Sequence, residues 1–208
     1  MITKVQGISE VICIDDGSTD GSGEIIKKNF PKIKLIKHPT NQGKAAAILT
    51  GLKQAENETL LLFDADLRNL KEKEISAALE YFENNHLDCL NLKSRPTNLY
   101  YFFLRKISFF CSQVAGNRIV KKGWLIEVFK NKNLQSYQLE TAQNQFLIKN
   151  KKRFTFMATS MVDINKIDKE DLRIGMIKEI KMWHQIIGYS GWLFVIKQTI
   201  LFARKKSV

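Results

Sequence analysis

Two pairs of acidic residues each follow a short apolar run with the composition of a buried β-strand. Asp15 and Asp16 come directly after one such run, and Asp64 and Asp66 follow another that ends at Phe63. In a parallel sheet the ligand crevice lies beyond the carboxyl ends of the strands, so chemistry is expected at these positions. Carboxylates one residue apart, such as Asp64 and Asp66, can share Mg²⁺ or Mn²⁺ and bridge it to phosphates. The alternative for both pairs is structural, because Asp also forms turns and helix N-caps.

A lysine stands between the two acidic pairs, at the predicted start of a helix. The segment Asn41-Gln42-Gly43-Lys44 opens this helix, where free backbone amides and the helix dipole favour an anion. The glycine spacing and the Ser or Thr of a P-loop are missing, which disfavours ATPase or GTPase chemistry. Lys44 is therefore a candidate anion ligand, and a solvated surface lysine is the alternative.

The elements that would position these residues alternate between short β-rich runs and helical patterns. This order is the signature of βαβ units and predicts an α/β fold, with a mainly parallel sheet flanked by helices. The predicted strands are 11–14, 33–37, 59–63 and 87–92, and the predicted helices are one that ends near Asn29, then 43–55, 71–84, 98–114 and 138–150.

The net charge of +12 is distributed unevenly along the 208 residues. Residues 1–92 carry 11 Lys and Arg against 14 Asp and Glu, whereas residues 93–208 carry 22 against 7. A basic half indicates an anionic partner, which can be nucleic acid, an anionic membrane surface or a phosphate-rich small molecule. We interpret residues 1–208 as one domain whose two halves divide near residue 93.

The C-terminal segment 186–206 is apolar on most sides but carries Lys197 at its centre and ends in basic residues. A charge near the bilayer centre costs about 2.5–3.5 kcal/mol, so a transmembrane span is disfavoured. An amphipathic helix at a membrane interface and a helix packed on the domain are both open. Because Met1 is not followed by an apolar signal core, the expected location is cytoplasmic, with peripheral contact to the membrane.

The order and spacing of these motifs resemble glycosyltransferase family 2, whose members have the GT-A fold of nucleotide-diphospho-sugar transferases. The motifs that carry the resemblance are Asp-Asp-Gly-Ser-Thr-Asp (15–20), Asn-Gln-Gly-Lys (41–44) and Asp-Ala-Asp (64–66). The resemblance covers residues 8–95 most strongly. It continues more weakly through Ala-Gly-Asn-Arg at 115–118 and Leu-Glu-Thr-Ala at 139–142.

On the donor side, the resemblance implies a role for each candidate residue. Asp15 and Asp16 would lie by the base and ribose of a nucleotide sugar, with Lys44 near the same pocket. Asp64 and Asp66 would hold Mg²⁺ or Mn²⁺ together with the diphosphate.

On the acceptor side, the resemblance implies that Arg118 stabilises phosphate charge and that Glu140 lies close to the acceptor, where some members hold a general base. The frequent Glu-Asp pair is Glu140-Thr141 here, which leaves the identity of the general base open. A surface arginine and a helix-starting glutamate are the alternatives. The scattered histidines, His38 among them, receive no ligand role.

The expected reaction is inverting transfer of a sugar from a nucleotide-diphosphate donor to an acceptor. Residues 1–92 form the nucleotide-binding half, and residues 93–208 form the basic acceptor-side half. The charge of that half, its aromatic stretch 99–103 and the amphipathic helix 186–206 point to a polyprenyl or dolichyl phosphate, or another cell-envelope glycan precursor, at an anionic membrane surface. One alternative is a sugar-nucleotide-binding fragment without activity. A basic protein that binds single-stranded nucleic acid is less favoured, because no nucleic-acid motif is present.

From the resemblance, we expect the first strand of the family to be absent from this sequence. Only residues 1–7 precede the region of the resemblance, which begins at residue 8, and Ile2, Val5 and Ile8 have the spacing of the tail of a helix. The missing strand would be central, between the second and fourth strands of the family. We therefore expect unpaired neighbours in the sheet and poor or absent activity of this form.

Overall fold

The computed structural model describes residues 5–95, 116–130, 134, 138–163 and 172–204. Within these ranges the strands are β1 (Ile12–Asp15), β2 (Lys34–Lys37), β3 (Thr59–Leu62), β4 (Leu67–Arg68), β5 (Cys89–Arg95), β6 (Arg118–Lys121) and β7 (Phe154–Asp163). The helices are α1 (Ser22–Asn29), α2 (Lys44–Gln54), α3 (Glu72–Asn84), α4 (Lys122–Phe129), α5 (Gln138–Lys149), α6 (Leu172–Ser190) and α7 (Trp192–Arg204). Every strand and helix predicted up to residue 95 is present, and so is the one predicted at 138–150. The helix predicted at 98–114, with its aromatic stretch, lies outside the described residues.

The described strands form two sheets. Strands β1 and β2 pair in parallel, and the larger sheet has the order β3-β6-β5-β7-β4. In the larger sheet β5 and β7 are parallel, whereas β6 is antiparallel to β3 and β5, and β4 is antiparallel to β7. Strands β3, β5 and β7 therefore share one direction, and the predicted α/β class with flanking helices is confirmed. The antiparallel strands β4 and β6 are absent from the sequence prediction.

Strands β1 and β3 are linked near their amino ends by side chains. Glu10 Oε1, just before β1, accepts hydrogen bonds of 2.8 and 3.3 Å from the backbone N–H groups of Glu56 and Asn57, which precede β3. No β-ladder joins β1 to β3 in the part of the chain that the structure describes. The strand that the sequence analysis expects between these two stays a prediction.

Residues 5–8, before β1, form a turn, whereas the rest of the predicted helix tail lies outside the described residues. The backbone N–H of Ile8 donates to the carbonyl oxygen of Val5 at 3.2 Å, and Gly7 has a φ of 91°. A left-handed glycine ends helical structure instead of continuing it.

The hydrophobic core lies on both faces of the larger sheet. Cys89 of β5 and Val120 of β6 pack with residues of α2, α4, α5 and α7, whereas Leu90 and Ile119 pack with residues of α3. Successive strand residues point to opposite faces, which explains this division. Because β5 runs from Cys89 to Arg95, the compositional boundary near residue 93 falls inside a strand, and the assignment of a nucleotide-binding half and an acceptor-side half stays a prediction.

The prediction of one helix over 186–206 is wrong, because this segment contains the end of α6 and the whole of α7. Gly191 separates the two helices with a φ of 76°, which favours glycine. On the inner face of α7, the ring centroid of Phe202 lies 5.3 Å from that of Phe154 and 5.2 Å from that of Phe156. That face therefore packs on the domain. None of the helices in the described ranges is long and apolar enough to cross a membrane.

Candidate functional site

The loop after β1 holds the first predicted carboxylate pair. Asp15 is buried, and its Oδ1 accepts a hydrogen bond of 2.8 Å from the backbone N–H of Ser18. Hydrogen bonds from Ser18 hold the pKa of Asp15 below its ordinary value. The other oxygen, Oδ2, lies 3.8 Å from Lys37 Nζ, and a Cβ atom at Gly23 would lie 2.6 Å from it. Helix α1 can approach Asp15 this closely because residue 23 is glycine.

Asp16 connects this loop to the start of α2. Its Oδ1 accepts a hydrogen bond of 3.0 Å from the backbone N–H of Gln42, and its Oδ2 accepts one of 2.8 Å from that of Gly43. Partial burial raises the pKa of Asp16, but the hydrogen bonds from Gln42, His38 and Gly43 outweigh burial and lower the pKa overall. Asp16 therefore binds the backbone just before α2, whose N-cap is Gly43, through contacts between distant parts of the chain.

His38 is a site residue that the sequence prediction left without a role. It is buried directly after β2, with Nδ1 2.7 Å from Asp16 Oδ1 and Nε2 2.9 Å from Thr50 Oγ1 of α2. It therefore fixes the Asp16 carboxylate against α2. Its position directly after a predicted strand is the same signal that identified Asp15 and Asp64, and it could have identified His38 as well.

The side chain of Lys44, the first residue of α2, joins two acidic residues from distant parts of the chain. Its Nζ lies 2.7 Å from Asp64 Oδ1 and 2.9 Å from Glu140 Oε1. Burial lowers the pKa of Lys44, but the negative charges of Glu140 and Asp64 outweigh burial and raise the pKa above its ordinary value. Lys44 is therefore a cation at neutral pH. We call these three residues the Lys44 cluster.

The segment that precedes β6 lies against the Lys44 cluster. A Cβ atom at Gly116 would collide with Lys44 Nζ and would lie 2.6 Å from Asp64 Oδ2. The next residue, Asn117, is buried, and its Oδ1 accepts a hydrogen bond of 3.2 Å from the backbone N–H of Asp64. Gly116 thus leaves room for the ion pair, while Asn117 fixes the backbone at Asp64. The sequence prediction gave neither residue a role of its own.

Arg118 and Glu140 are almost fully buried, at 1% and 4% exposure. Arg118 Nη1 donates a hydrogen bond of 2.9 Å to Asn144 Oδ1 on α5. Burial is the main influence on the pKa of Arg118 and lowers it, whereas the charge of Glu140 acts in the opposite direction. A surface arginine, the alternative from the sequence, is therefore wrong. The phosphate-binding role of Arg118 and the acceptor-side role of Glu140 stay predictions.

Asp66 is half-buried in the turn that leads from β3 to β4. Within the described ranges, no group of three or more His, Cys, Asp or Glu residues converges on one point. Mg²⁺ usually takes one or two protein carboxylates and completes its shell with phosphates and water. Asp64 already binds a positive charge, the Lys44 ammonium. The chemistry of Asp64 and Asp66 therefore fits a hard divalent cation that a nucleotide diphosphate would bring.

The predicted site residues form two neighbouring groups. The Lys44 cluster unites the predicted donor and acceptor sides, and Arg118 is electrostatically coupled to it through Glu140. Asp15 and Asp16 form the other group, and Asp16 is bonded to the backbone just before α2. The start of α2 is thus common to both groups.

The sequence profile of glycosyl transferase family 2 matches residues 6–151, a range that includes every one of these site residues. The chain belongs to this family. An uncharacterized glycosyltransferase of Haemophilus influenzae is 42% identical to it over 81 residues, which are 38% of this chain and 32% of that protein. A dolichyl-phosphate beta-glucosyltransferase of Trichomonas vaginalis is 38% identical over 60 residues, 27% of this chain and 18% of that protein. The matched region thus spans about a third or less of these relatives.

Solved glycosyltransferases share the fold of this family 2 chain. A mannosyltransferase of Pyrobaculum calidifontis, solved in complex with GDP-Man and Mn²⁺, superimposes with a TM-score of 0.59 at 16% sequence identity. The match covers 96% of this chain and 67% of that one. At this identity the likeness shows the fold, and the predicted GT-A architecture is confirmed.

Proposed function

We propose that this family 2 chain transfers a sugar from a nucleotide-diphosphate donor to an acceptor oxygen, with inversion at the anomeric carbon. The observation that carries the proposal is the Lys44 cluster, in which one ammonium group contacts Asp64 at the end of β3 and Glu140 at the start of α5. Carboxylates expected to act on the two substrates thus lie within reach of a single cation.

On the donor side, the amino end of α2 would face the nucleotide, because helix amino ends favour phosphate groups. Asp15 and Asp16 would lie by the base and ribose. Both oxygens of Asp16 already accept hydrogen bonds, so Asp16 would act mainly by holding its loop against α2. Lys44 would place its positive charge beside the diphosphate, and the buried Arg118 would add a second positive charge.

Asp64 and Asp66 would hold Mg²⁺ or Mn²⁺ in this proposal. A bound divalent cation neutralises the charge that develops on a leaving diphosphate. The mannosyltransferase of the same fold that was solved with GDP-Man and Mn²⁺ supports this assignment.

On the acceptor side, Glu140 is the candidate for contact with the attacking oxygen. Its Oε1 is 2.9 Å from Lys44, whereas its buried Oε2 has no hydrogen-bond partner among the residues that the structure describes. An acceptor hydroxyl would donate to the Glu140 carboxylate and lose its proton there, while the new bond to the anomeric carbon forms and the bond to the diphosphate breaks. A phosphate acceptor is already ionised and needs no base, so Glu140 would then hold Lys44 in position.

We favour a polyprenyl or dolichyl phosphate as the acceptor. The similarity to a dolichyl-phosphate beta-glucosyltransferase and the basic charge of residues 93–208 support this choice. Such an acceptor would place the chain at the cytoplasmic surface of a membrane.

The test is a transfer assay with the full chain, a panel of nucleotide sugars, Mn²⁺ and polyprenyl phosphate, with the glycolipid detected by mass spectrometry. The proposal predicts a product, in contrast to the poor or absent activity expected from the sequence alone, and it predicts that Asp64→Asn lowers the rate of product formation by about 100-fold or more, because a stabilising charge is lost. The matched control is Glu127→Gln on α4, which removes an exposed ion pair with Lys130. It should leave the rate of product formation unchanged. Equal rates for parent and Asp64→Asn would overturn the proposal.

A sugar-nucleotide-binding protein without transfer activity is the second candidate. Binding of UDP or GDP with Mn²⁺ but no product with any donor would select this candidate.

A further inference from the structure

Helices α6 and α7 both expose large apolar side chains. These side chains are 48–85% exposed and belong to Ile174, Ile177, Ile180, Trp192, Leu193, Ile196 and Ile200. On α7, Trp192, Ile196 and Ile200 recur every four residues and therefore lie in one row. We call this set the α6–α7 face. Soluble monomers rarely expose apolar patches larger than a few hundred Å², and larger ones mark interaction sites.

The orientation of α7 is fixed by its opposite side. Val195 and Phe202 are buried at 3% and 1% exposure, and Phe202 packs on the aromatic rings of β7. Rotation of the helix to hide Trp192 or Leu193 would expose Phe202, so the packing holds the apolar row outward. The face is thus a property of the folded chain.

The charged residues of this segment indicate which kind of partner the face binds. The segment 172–206 contains a single acidic residue and many basic ones, which are Arg173, Lys178, Lys181, Lys197, Arg204, Lys205 and Lys206 against Glu179. Among them, the side chains of Lys181, Lys197 and Arg204 are exposed. A second copy of the chain would bring cations against cations. An anionic lipid surface matches both the apolar row and the basic flanks.

We propose that the α6–α7 face docks onto an anionic lipid bilayer, with its apolar side chains at the boundary of headgroups and acyl chains and with Lys181, Lys197 and Arg204 at lipid phosphates. The helices would lie on the membrane, which agrees with the finding that no described helix could cross it. The inference builds on the proposed lipid-phosphate acceptor, because docking would bring the site to that substrate.

The test is co-sedimentation of the full chain with phosphatidylcholine vesicles, with and without phosphatidylglycerol. The Trp192→Ser/Leu193→Ser variant should bind about tenfold more weakly or worse, since burial of apolar area drives insertion. The matched control is Ile25→Ser/Phe30→Ser, which removes two exposed apolar side chains from the region of α1. It should bind as the parent does. The Lys197→Gln/Arg204→Gln variant should bind anionic vesicles about fivefold more weakly for each charge removed. Its weak binding to neutral vesicles should be unchanged.

Two results would overturn the docking proposal. One is equal vesicle binding by the parent and the Trp192→Ser/Leu193→Ser variant. The other is a parent that binds no vesicles but sediments as a dimer that this variant dissociates, which would make the face a contact between copies. Calorimetric binding of UDP or GDP with Mn²⁺, measured without lipid, reports on the proposed function separately. Retained nucleotide binding with no lipid binding would reject the docking surface alone.

Discussion

Lys44 forms an ion pair with the buried Glu140, in which Lys44 Nζ lies 2.9 Å from Glu140 Oε1. Removal of one partner from a fully buried ion pair costs about 3–5 kcal/mol, because the remaining charge is left uncompensated. The Lys44 side chain is 36% exposed, so a smaller cost is expected here. The same contact therefore contributes to both the fold and the proposed chemistry.

We predict that Lys44→Met lowers the free energy of unfolding by about 1–3 kcal/mol and that adding Glu140→Gln restores part of the loss. Urea denaturation of the two single variants and the double variant measures the coupling. Lys121→Met, which breaks an exposed pair with Glu83, is the control and should cost less than about 1 kcal/mol. Additive effects of the Lys44 and Glu140 changes would show that the two side chains do not interact.

Asp16 should make stability depend on pH. Its pKa in the folded protein is lower than its ordinary value, so its stabilising effect is present above the unfolded pKa of about 3.9 and is lost as the pH falls toward the folded pKa. We predict that Asp16→Asn is less stable than the parent near neutral pH by about 1–2 kcal/mol, and that the difference shrinks below about pH 4. Urea denaturation across this range measures it. A difference that is independent of pH would contradict the assigned hydrogen bonds.

At the scale of secondary structure, the sequence predicted every element up to residue 95 except the two-residue strand β4, because each other strand is a short apolar run and each helix has a helical pattern. The strands β6 and β7 were missed for different reasons. The four residues of β6 are inserted antiparallel between β3 and β5, a pairing that depends on distant parts of the chain. The ten residues of β7 mix apolar and polar types without strict alternation.

The break between α6 and α7 was also missed, although Gly191 marks it. We predict that Gly191→Ala lowers the free energy of unfolding by about 1 kcal/mol, because alanine is strained at a φ of 76°. Gly188→Ala, inside α6 with no atom near the added Cβ, should be neutral or stabilising by up to about 1 kcal/mol. Thermal unfolding of both variants gives the comparison. A Gly191→Ala variant as stable as Gly188→Ala would mean that the two helices join differently.

For the whole molecule, the motifs predicted the family and the fold, and both are confirmed. The contacts between the site residues could not be predicted from the motifs. The Lys44 cluster joins residues that are far apart in sequence, so only the folded chain brings Asp64 and Glu140 to one ammonium group. The need for glycine at position 116 likewise follows from the approach of Lys44 and Asp64 and not from any local pattern. The boundary in charge near residue 93 lies within β5, and the two functional halves stay a prediction.

The central claim is that a nucleotide sugar binds at the Lys44 cluster with a divalent cation at Asp64 and Asp66. Calorimetric titration of UDP and GDP, with and without Mn²⁺, tests it most directly. Gly116→Ala puts a methyl group against the cluster without changing charge, and Asp66→Asn removes one carboxylate, whereas Gly123→Ala adds a methyl group in open space as the matched control. We predict Mn²⁺-dependent binding by the parent and Gly123→Ala, and binding weakened by about tenfold or more in Gly116→Ala and Asp66→Asn. Affinity for the nucleotide that is the same in all four proteins would contradict the account.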